Sequence, residues 1–180
     1  VQPLRTEGKY SDEDLITKVK SSTVVSSGLV KGMISLNGLN VPMQETISEM
    51  LSDMREAEAA AKAEKLNFLP KAIYVCNTNI LAHDAGQTDD PKQPFEQRQA
   101  PPILIWRYLT EQCGVAPEEI AIYADLKTHQ DFPLPPNFVL FSGGENDYDD
   151  FVAGDYRHII FNRTLQEGWD DPKVYFAYVD

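Results

Sequence analysis

The chain has 180 residues, 42% of them hydrophobic, and a formal net charge of −12. This length fits one domain with an attached arm, and the apolar content is sufficient for a sizeable core. A domain that held DNA by electrostatics alone would be basic, so this acidity excludes that class unless cations gather on one face or come from another domain. No apolar run approaches the ~18 residues that span a bilayer. The N-terminus lacks a secretory pattern, so we expect a cytoplasmic protein without a membrane partner.

The first 68 residues predict an arm followed by a long amphipathic helix. Thr23–Val25 and Leu29–Leu36 have β character, and Asn37-Gly38 is a turn signal. The helix starts near Val41-Pro42, since a proline in the first turn loses no hydrogen bond. Its apolar side chains recur at steps of three and four, and we assign that stripe to core packing rather than to a binding surface. The stripe consists of Met43, Ile47, Met50, Leu51, Met54, Ala57 and Ala61.

Residues 69–180 predict a separate α/β domain. Short, continuous apolar runs joined by crossovers are typical of a mainly parallel sheet with flanking helices that cover both faces. Leu81–Gln99 is polar and predicts a long loop, whereas Ala100–Cys113 predicts a helix that ends at Gly114. Asp149–Val152 predicts one helical turn. The predicted strands are Ala72–Cys76, Ile120–Ala124, Phe138–Phe141, His158–Phe161 and Val174–Val179.

Three of these strands lie in segments that resemble a known family. The segment HIIFNRTLQEGWDDPKVYFAYVD, which begins at His158, resembles motif V of superfamily 2 helicases and translocases together with the strand that follows it. The string L-x-E-G-W-D-x-P-x-V is most similar to the Res subunit of type III restriction enzymes, and the B subunit of bacterial excision repair has a similar string. KAIYVCNTNI, from Lys71 to Ile80, resembles motif IV, which opens the second RecA-like lobe. The resemblance covers about residues 69–180 and implies a RecA-like fold.

The resemblance also implies roles for individual residues. By position, Asn162 and Thr164 would approach the nucleic-acid backbone, and Asn77–Thr78 would add further backbone contacts. Gly168 and Asp170 would face a nucleotide, with the aspartate near its ribose. The chemistry of Asn and Thr is consistent with contacts to the nucleic-acid backbone, because both side chains donate hydrogen bonds to phosphate oxygens without a net charge.

Several parts of a complete motor are missing from the sequence. The chain has no GxxxxGK[ST] phosphate loop, no acidic magnesium motif after a strand and no arginine-rich motif VI; Gly143-Gly144 follows a predicted strand without the lysine of a phosphate loop. We therefore expect an internal piece of a longer ATP-dependent DNA translocase or restriction endonuclease, with no catalytic or metal-binding residue of its own and no activity in isolation. The resemblance implies ATP and Mg²⁺ bound mainly by a first RecA-like lobe outside this chain. It also implies double-stranded DNA, that first lobe and a modification (methyltransferase) subunit as partners.

Two other interpretations stay open. The chain could be a non-catalytic α/β interaction module whose long helix docks onto a partner. A stand-alone mononucleotide-binding domain is disfavoured, because no glycine-rich phosphate loop opens a helix here. At the level of single residues, Gly168 and Asp170 also fit a tight turn closed by an aspartate side chain.

Overall fold

The computed structural model describes residues 21–27, 35, 41–76, 89–142, 144–145, 147–162 and 171–179. The chain forms two compact units, Val1–Leu39 and Asn40–Asp180. In the described part of the first unit, helix α1 spans Ser21–Ser26. The β character predicted for Thr23–Val25 is therefore wrong: the Ser27 N–H bonds to the Thr23 carbonyl at 3.1 Å and closes a helical turn, which overrides a weak local propensity. The predicted β segment over residues 29–36 lies outside the described residues except for Ser35.

The second unit is built on a five-stranded sheet in which every pairing between the described strands is parallel. The strands lie in the order β3-β2-β4-β1-β5. Together with the flanking helices this confirms the predicted α/β class and is consistent with a RecA-like lobe. The strands are β1 (Lys71–Val75), β2 (Ile120–Tyr123), β3 (Leu140–Phe141), β4 (His158–Phe161) and β5 (Val174–Val179).

Three helices accompany the sheet: α2 (Met43–Ala63), α3 (Pro101–Arg107) and α4 (Asp147–Ala153). A π-helical turn, Tyr108–Gln112, continues α3, so the two together cover most of the predicted helix. Gly114 follows with φ of 69°, in the left-handed region where glycine is unstrained. Two 3₁₀ turns, Phe95–Gln97 and Pro117–Glu119, lie in the connections before α3 and β2.

Helix α2 packs its apolar stripe into the core of the sheet unit. Ile47, Leu51 and Met54 are at most 5% exposed, and burial of such side chains contributes roughly 1.5–3 kcal/mol each relative to exposure. The assignment of the stripe to core packing is confirmed. An ion pair between Glu58 of α2 and Arg157, directly before β4, also fastens the helix to the sheet. The helix thus belongs to the same compact unit as the strands.

The two faces of the sheet carry separate apolar clusters, because successive strand residues point to opposite sides. Tyr74, Ile122 and Ile160 pack with α2 and α3, whereas Tyr123 and Ile159 pack with α4. Strand β2 is buried throughout, as expected for a strand covered on both faces. In strand β5 exposed residues alternate with half-buried ones and the buried Tyr178, so the expectation of cover on both faces is wrong at this edge of the sheet.

Candidate nucleic-acid and nucleotide interface

The parallel pairing of β1 and β4 places the carboxyl ends of the two strands side by side. The residues predicted to contact DNA follow these two ends. Val75 of β1 lies in register with Phe161 of β4, and the Cys76 N–H donates to the Phe161 carbonyl at 2.8 Å. Asn162, which follows β4, therefore lies beside the residue that precedes Asn77. In open α/β sheets ligands bind at this carboxyl edge of the strands. The geometry places the carboxyl ends of the two strands that resemble motifs IV and V next to each other.

Among the six predicted site residues, Asn162 is the one that the structure describes. It is 9% exposed, so its amide is a buried polar group at the carboxyl edge. Buried polar side chains in native proteins are hydrogen bonded, which restricts the orientation of this amide. The remaining five, Asn77, Thr78, Thr164, Gly168 and Asp170, lie outside the described residues, and their roles stay predictions.

Asn162 and Asp171, the described residues on either side of the segment that resembles motif V, lie at opposite ends of the strands, one at the carboxyl edge of the sheet and one at the amino edge. Asn162 leaves β4 at the carboxyl edge, whereas Asp171 precedes β5 and forms an ion pair with Lys71, the first residue of β1, at 3.0 Å. The Lys71 N–H also donates to the Lys173 carbonyl at 2.7 Å. Because β4 and β5 both run parallel to β1, the chain between them connects the carboxyl edge to the amino edge. The connection from β4 to β5 is therefore a crossover between parallel strands.

Asp171 connects the residues before β5 to the first residue of β1. Burial by itself would raise its pKa, but hydrogen bonds from the Lys173 N–H and the Lys71 ammonium, with the two positive charges, lower the pKa below its ordinary value. The Lys173 N–H donates to Asp171 Oδ1 at 2.9 Å. Asp171 is therefore ionised at neutral pH and holds the start of β5 against β1.

A buried ion pair that sequence analysis missed lies in the connection from β1 to α3. The side chains of Asp89 and Arg98 are 4% and 1% exposed, and Arg98 Nε donates to Asp89 Oδ2 at 2.7 Å. Arg98 Nη2 also donates to the carbonyl of Lys127, in the segment that follows β2, at 3.1 Å. The pair thus ties the end of this connection to a loop at the carboxyl edge.

Asp89 also accepts hydrogen bonds from the backbone directly before α3. Its Oδ1 accepts the N–H groups of Gln99 and Ala100, each at 3.1 Å, which fixes the backbone just before the two prolines that open the helix. Leu81–Gln99 was predicted to be a polar loop outside the core, and its described residues are mostly exposed or half-buried, but the side chains of Asp89 and Arg98 are buried. A sequence contains no signal that separates Asp89 from the neighbouring Asp90, since burial of one of them depends on Arg98.

The glycine-rich loop after β3 is closed by a carboxylate from its own chain. Asp147 Oδ2 accepts the N–H groups of Ser142 at 2.7 Å and Gly144 at 2.9 Å. A phosphate-binding loop needs such N–H groups directed at the ligand. Because Asp147 uses them, this loop is a structural turn at the start of α4 and not a phosphate cradle.

A buried pair of titratable side chains crosses between the strands that lead to the candidate site. Tyr74 Oη of β1 lies 2.9 Å from His158 Nδ1 of β4. Burial, and secondarily the charge of Arg157, lowers the pKa of His158 to about 4, and burial raises the pKa of Tyr74. At neutral pH the pair is therefore uncharged, as its place inside the apolar core requires.

Neither a protein-family model, nor a curated protein, nor a solved structure matches this chain. Among the described residues, no helix is both long and apolar enough to cross a membrane. Motif resemblance and sheet topology are therefore what support the function proposed below.

Proposed function

We propose that this chain is a piece of an ATP-dependent DNA helicase or translocase of the type III restriction-modification kind, and that it carries motifs IV and V of the second RecA-like lobe. One observation supports the proposal most: the strands that resemble these motifs, β1 and β4, are direct neighbours in a parallel sheet and end at the same edge. Adjacent strands that end together can present the residues that follow them to one stretch of nucleic-acid backbone. The protein would act in the cytoplasm.

The DNA contacts of the proposal are neutral. Asn162, at the end of β4, would donate its amide N–H to a phosphate oxygen, and Asn77, Thr78 and Thr164 would add similar contacts. Neutral donors position the backbone but supply little long-range attraction. The net charge of −12 opposes DNA, so the proposal requires cations from the first lobe or from a modification subunit.

The nucleotide side of the proposal rests on Gly168 and Asp170. The described residues do not fit a complete ATP–magnesium site, because the N–H groups of the one glycine-rich loop among them bond to Asp147. ATP and Mg²⁺ would be held mainly by a first RecA-like lobe, with Asp170 near the ribose. We therefore expect no ATP hydrolysis by the purified chain.

ATPase measurements test the proposal. The chain alone is expected to be inactive, and addition of a separately expressed upstream half of the same protein is expected to produce DNA-stimulated ATP hydrolysis. Asn162→Ala should reduce the stimulation by DNA, whereas the matched Asn137→Ala, in an exposed turn before β3, should leave it unchanged. Magnesium-dependent turnover by the chain alone, or equal effects of the two variants, would contradict the proposal.

The alternative is a non-catalytic interaction module whose long helix docks onto a partner. Ile47, Leu51 and Met54 on the apolar face of α2 are buried in the core of the same unit. A partner would have to use the charged face of the helix instead.

A further inference from the structure

The loop that follows strand β2 starts at the same carboxyl edge as Asn162. Strand β2 is the second neighbour of β4, and Tyr123 lies in register with Phe161 at the last residue of each strand. Ala124 and Asn162, which follow these two residues, are therefore side by side. Lys127 comes three residues after Ala124, so the two Cα atoms are at most about 11 Å apart. Phosphates of one DNA strand follow each other at about 3.4 Å along the helix axis, so about three of them span this distance.

Lys127 carries an exposed cation, and it forms no ion pair with any residue that the structure describes. Cations at the amino edge are paired within the chain, because Lys71 meets Asp171 and Arg157 meets Glu58. A lysine without such a partner is available to an external anion. The DNA contacts that the family resemblance implies are all neutral donors, so a cation at the same edge would supply the attraction that they lack.

The backbone at Lys127 is held in place by the buried pair of Asp89 and Arg98. Arg98 Nη2 donates to the Lys127 carbonyl at 3.1 Å, and the Arg98 side chain is 1% exposed. The residue directly before the lysine, Leu126, is buried in the core. The lysine therefore projects from a fixed backbone, and less conformational entropy is lost when a preorganised group binds a ligand.

We propose that the Lys127 ammonium binds a phosphate of the DNA backbone beside Asn162, and that Arg98 is the residue that positions this lysine. The inference rests on the proposed function, because it adds a cationic contact to the same DNA site. Arg98 is buried and acts through the Lys127 carbonyl rather than on DNA itself. Two exposed carboxylates of the same loop, Asp125 and Asp131, repel phosphate, so binding of DNA by the chain alone stays weak.

The salt dependence of DNA binding measures contacts between cations and phosphates. For duplex DNA, the logarithm of the association constant falls with the logarithm of the salt concentration by about 0.9 for each neutralised phosphate. In NMR titrations of the ¹⁵N-labelled chain with a short duplex, Lys127→Gln should make this slope less negative by about 0.9 and weaken binding about three- to tenfold at low salt. Lys127→Arg keeps the charge and should keep the slope. The matched control Lys173→Gln removes the same charge from an exposed residue at the amino edge and should leave the slope unchanged.

The positioning role of Arg98 is tested in the double variant Asp89→Leu, Arg98→Met, which removes the hydrogen bond to the Lys127 carbonyl without leaving a buried charge. Its salt slope should become less negative, as in Lys127→Gln. Adding Lys127→Gln to the double variant should change the slope no further, because both changes act on the same contact. Leu51→Ala weakens the core under α2 and should keep the slope. Additive effects, or an equal change in Leu51→Ala, would overturn the positioning role.

The outcomes separate this inference from the proposed function. An unchanged slope in Lys127→Gln, or an equal change in Lys173→Gln, would overturn the phosphate contact at Lys127. If the amides of Cys76 and Asn162 still shift with DNA in that case, the proposed DNA site stands without this lysine. No binding of the duplex by the unmodified chain at low salt would overturn both. Circular dichroism of each variant separates loss of binding from loss of fold.

Discussion

The buried His158 makes the stability of this protein depend on pH. Its pKa is about 4 in the folded state against 6.5 for the free side chain. A depressed histidine pKa means that the unfolded chain binds the proton more tightly, so stability is complete above pH 6.5 and is lost as the pH falls towards 4. Integration of the linkage relation between pH 7.5 and 4.5 gives a loss of about 2–3 kcal/mol from this one group. For a chain of this size that corresponds to roughly 5–10 °C in Tm.

Urea denaturation at pH 7.5 and 4.5 measures this loss. The variant His158→Asn keeps a polar atom close to the position of Nδ1, and so a partner for the Tyr74 hydroxyl at 2.9 Å, but does not titrate in this range. Carboxylates such as Asp171 act in both proteins and cancel in the difference. The unmodified chain should lose about 2–3 kcal/mol more than the variant over this pH interval. Equal losses in the two proteins would refute the assignment of a buried, neutral histidine.

Three substitutions test other contacts by urea denaturation. Asp89→Asn should destabilise the fold by about 3–5 kcal/mol, because it leaves the Arg98 charge buried alone. Replacing both partners, by Leu and Met, should cost less than the single substitution. A smaller loss of stability in the single variant than in the double variant would contradict this. Leu51→Ala should cost about 2–5 kcal/mol by leaving a cavity under α2, and a loss below 1 kcal/mol would show that the helix is not packed there. Asp147→Ala removes the acceptor of two backbone N–H groups and should cost about 1–2 kcal/mol, while the exposed Asp149→Ala should change stability by less than about 0.5 kcal/mol.

The sheet was predictable because its strands are short, continuous apolar runs, and burial on both faces leaves that pattern in β2 and β4. The apolar stripe of α2 was predictable for the same reason, with helical spacing. The Asp89–Arg98 pair was not, because it depends on two side chains nine positions apart meeting inside a folded loop. Strand β5 looks like a buried strand in the sequence, and its exposed face follows only from its place at the edge of the sheet.

The candidate site was predictable in part. The sequence placed Asn162 at the end of a strand, and the structure puts that end beside β1. A tight turn leaves a signal in the sequence, in its glycine and aspartate residues. The direction of the strand that follows leaves no such signal. That β5 runs parallel to β4, so that Asn162 and Asp171 lie at opposite edges, is set by long-range pairing with β1.

The central claim is that the carboxyl edge of the sheet, around Asn162, contacts the DNA backbone. NMR titration of the ¹⁵N-labelled chain with a short DNA duplex at low salt tests it directly. We predict weak, saturable shifts concentrated on the amides of Cys76 and Asn162 and their neighbours, with Lys71 and Asp171 at the amino edge unchanged. Shifts concentrated at the amino edge, or none at millimolar DNA, would contradict the claim.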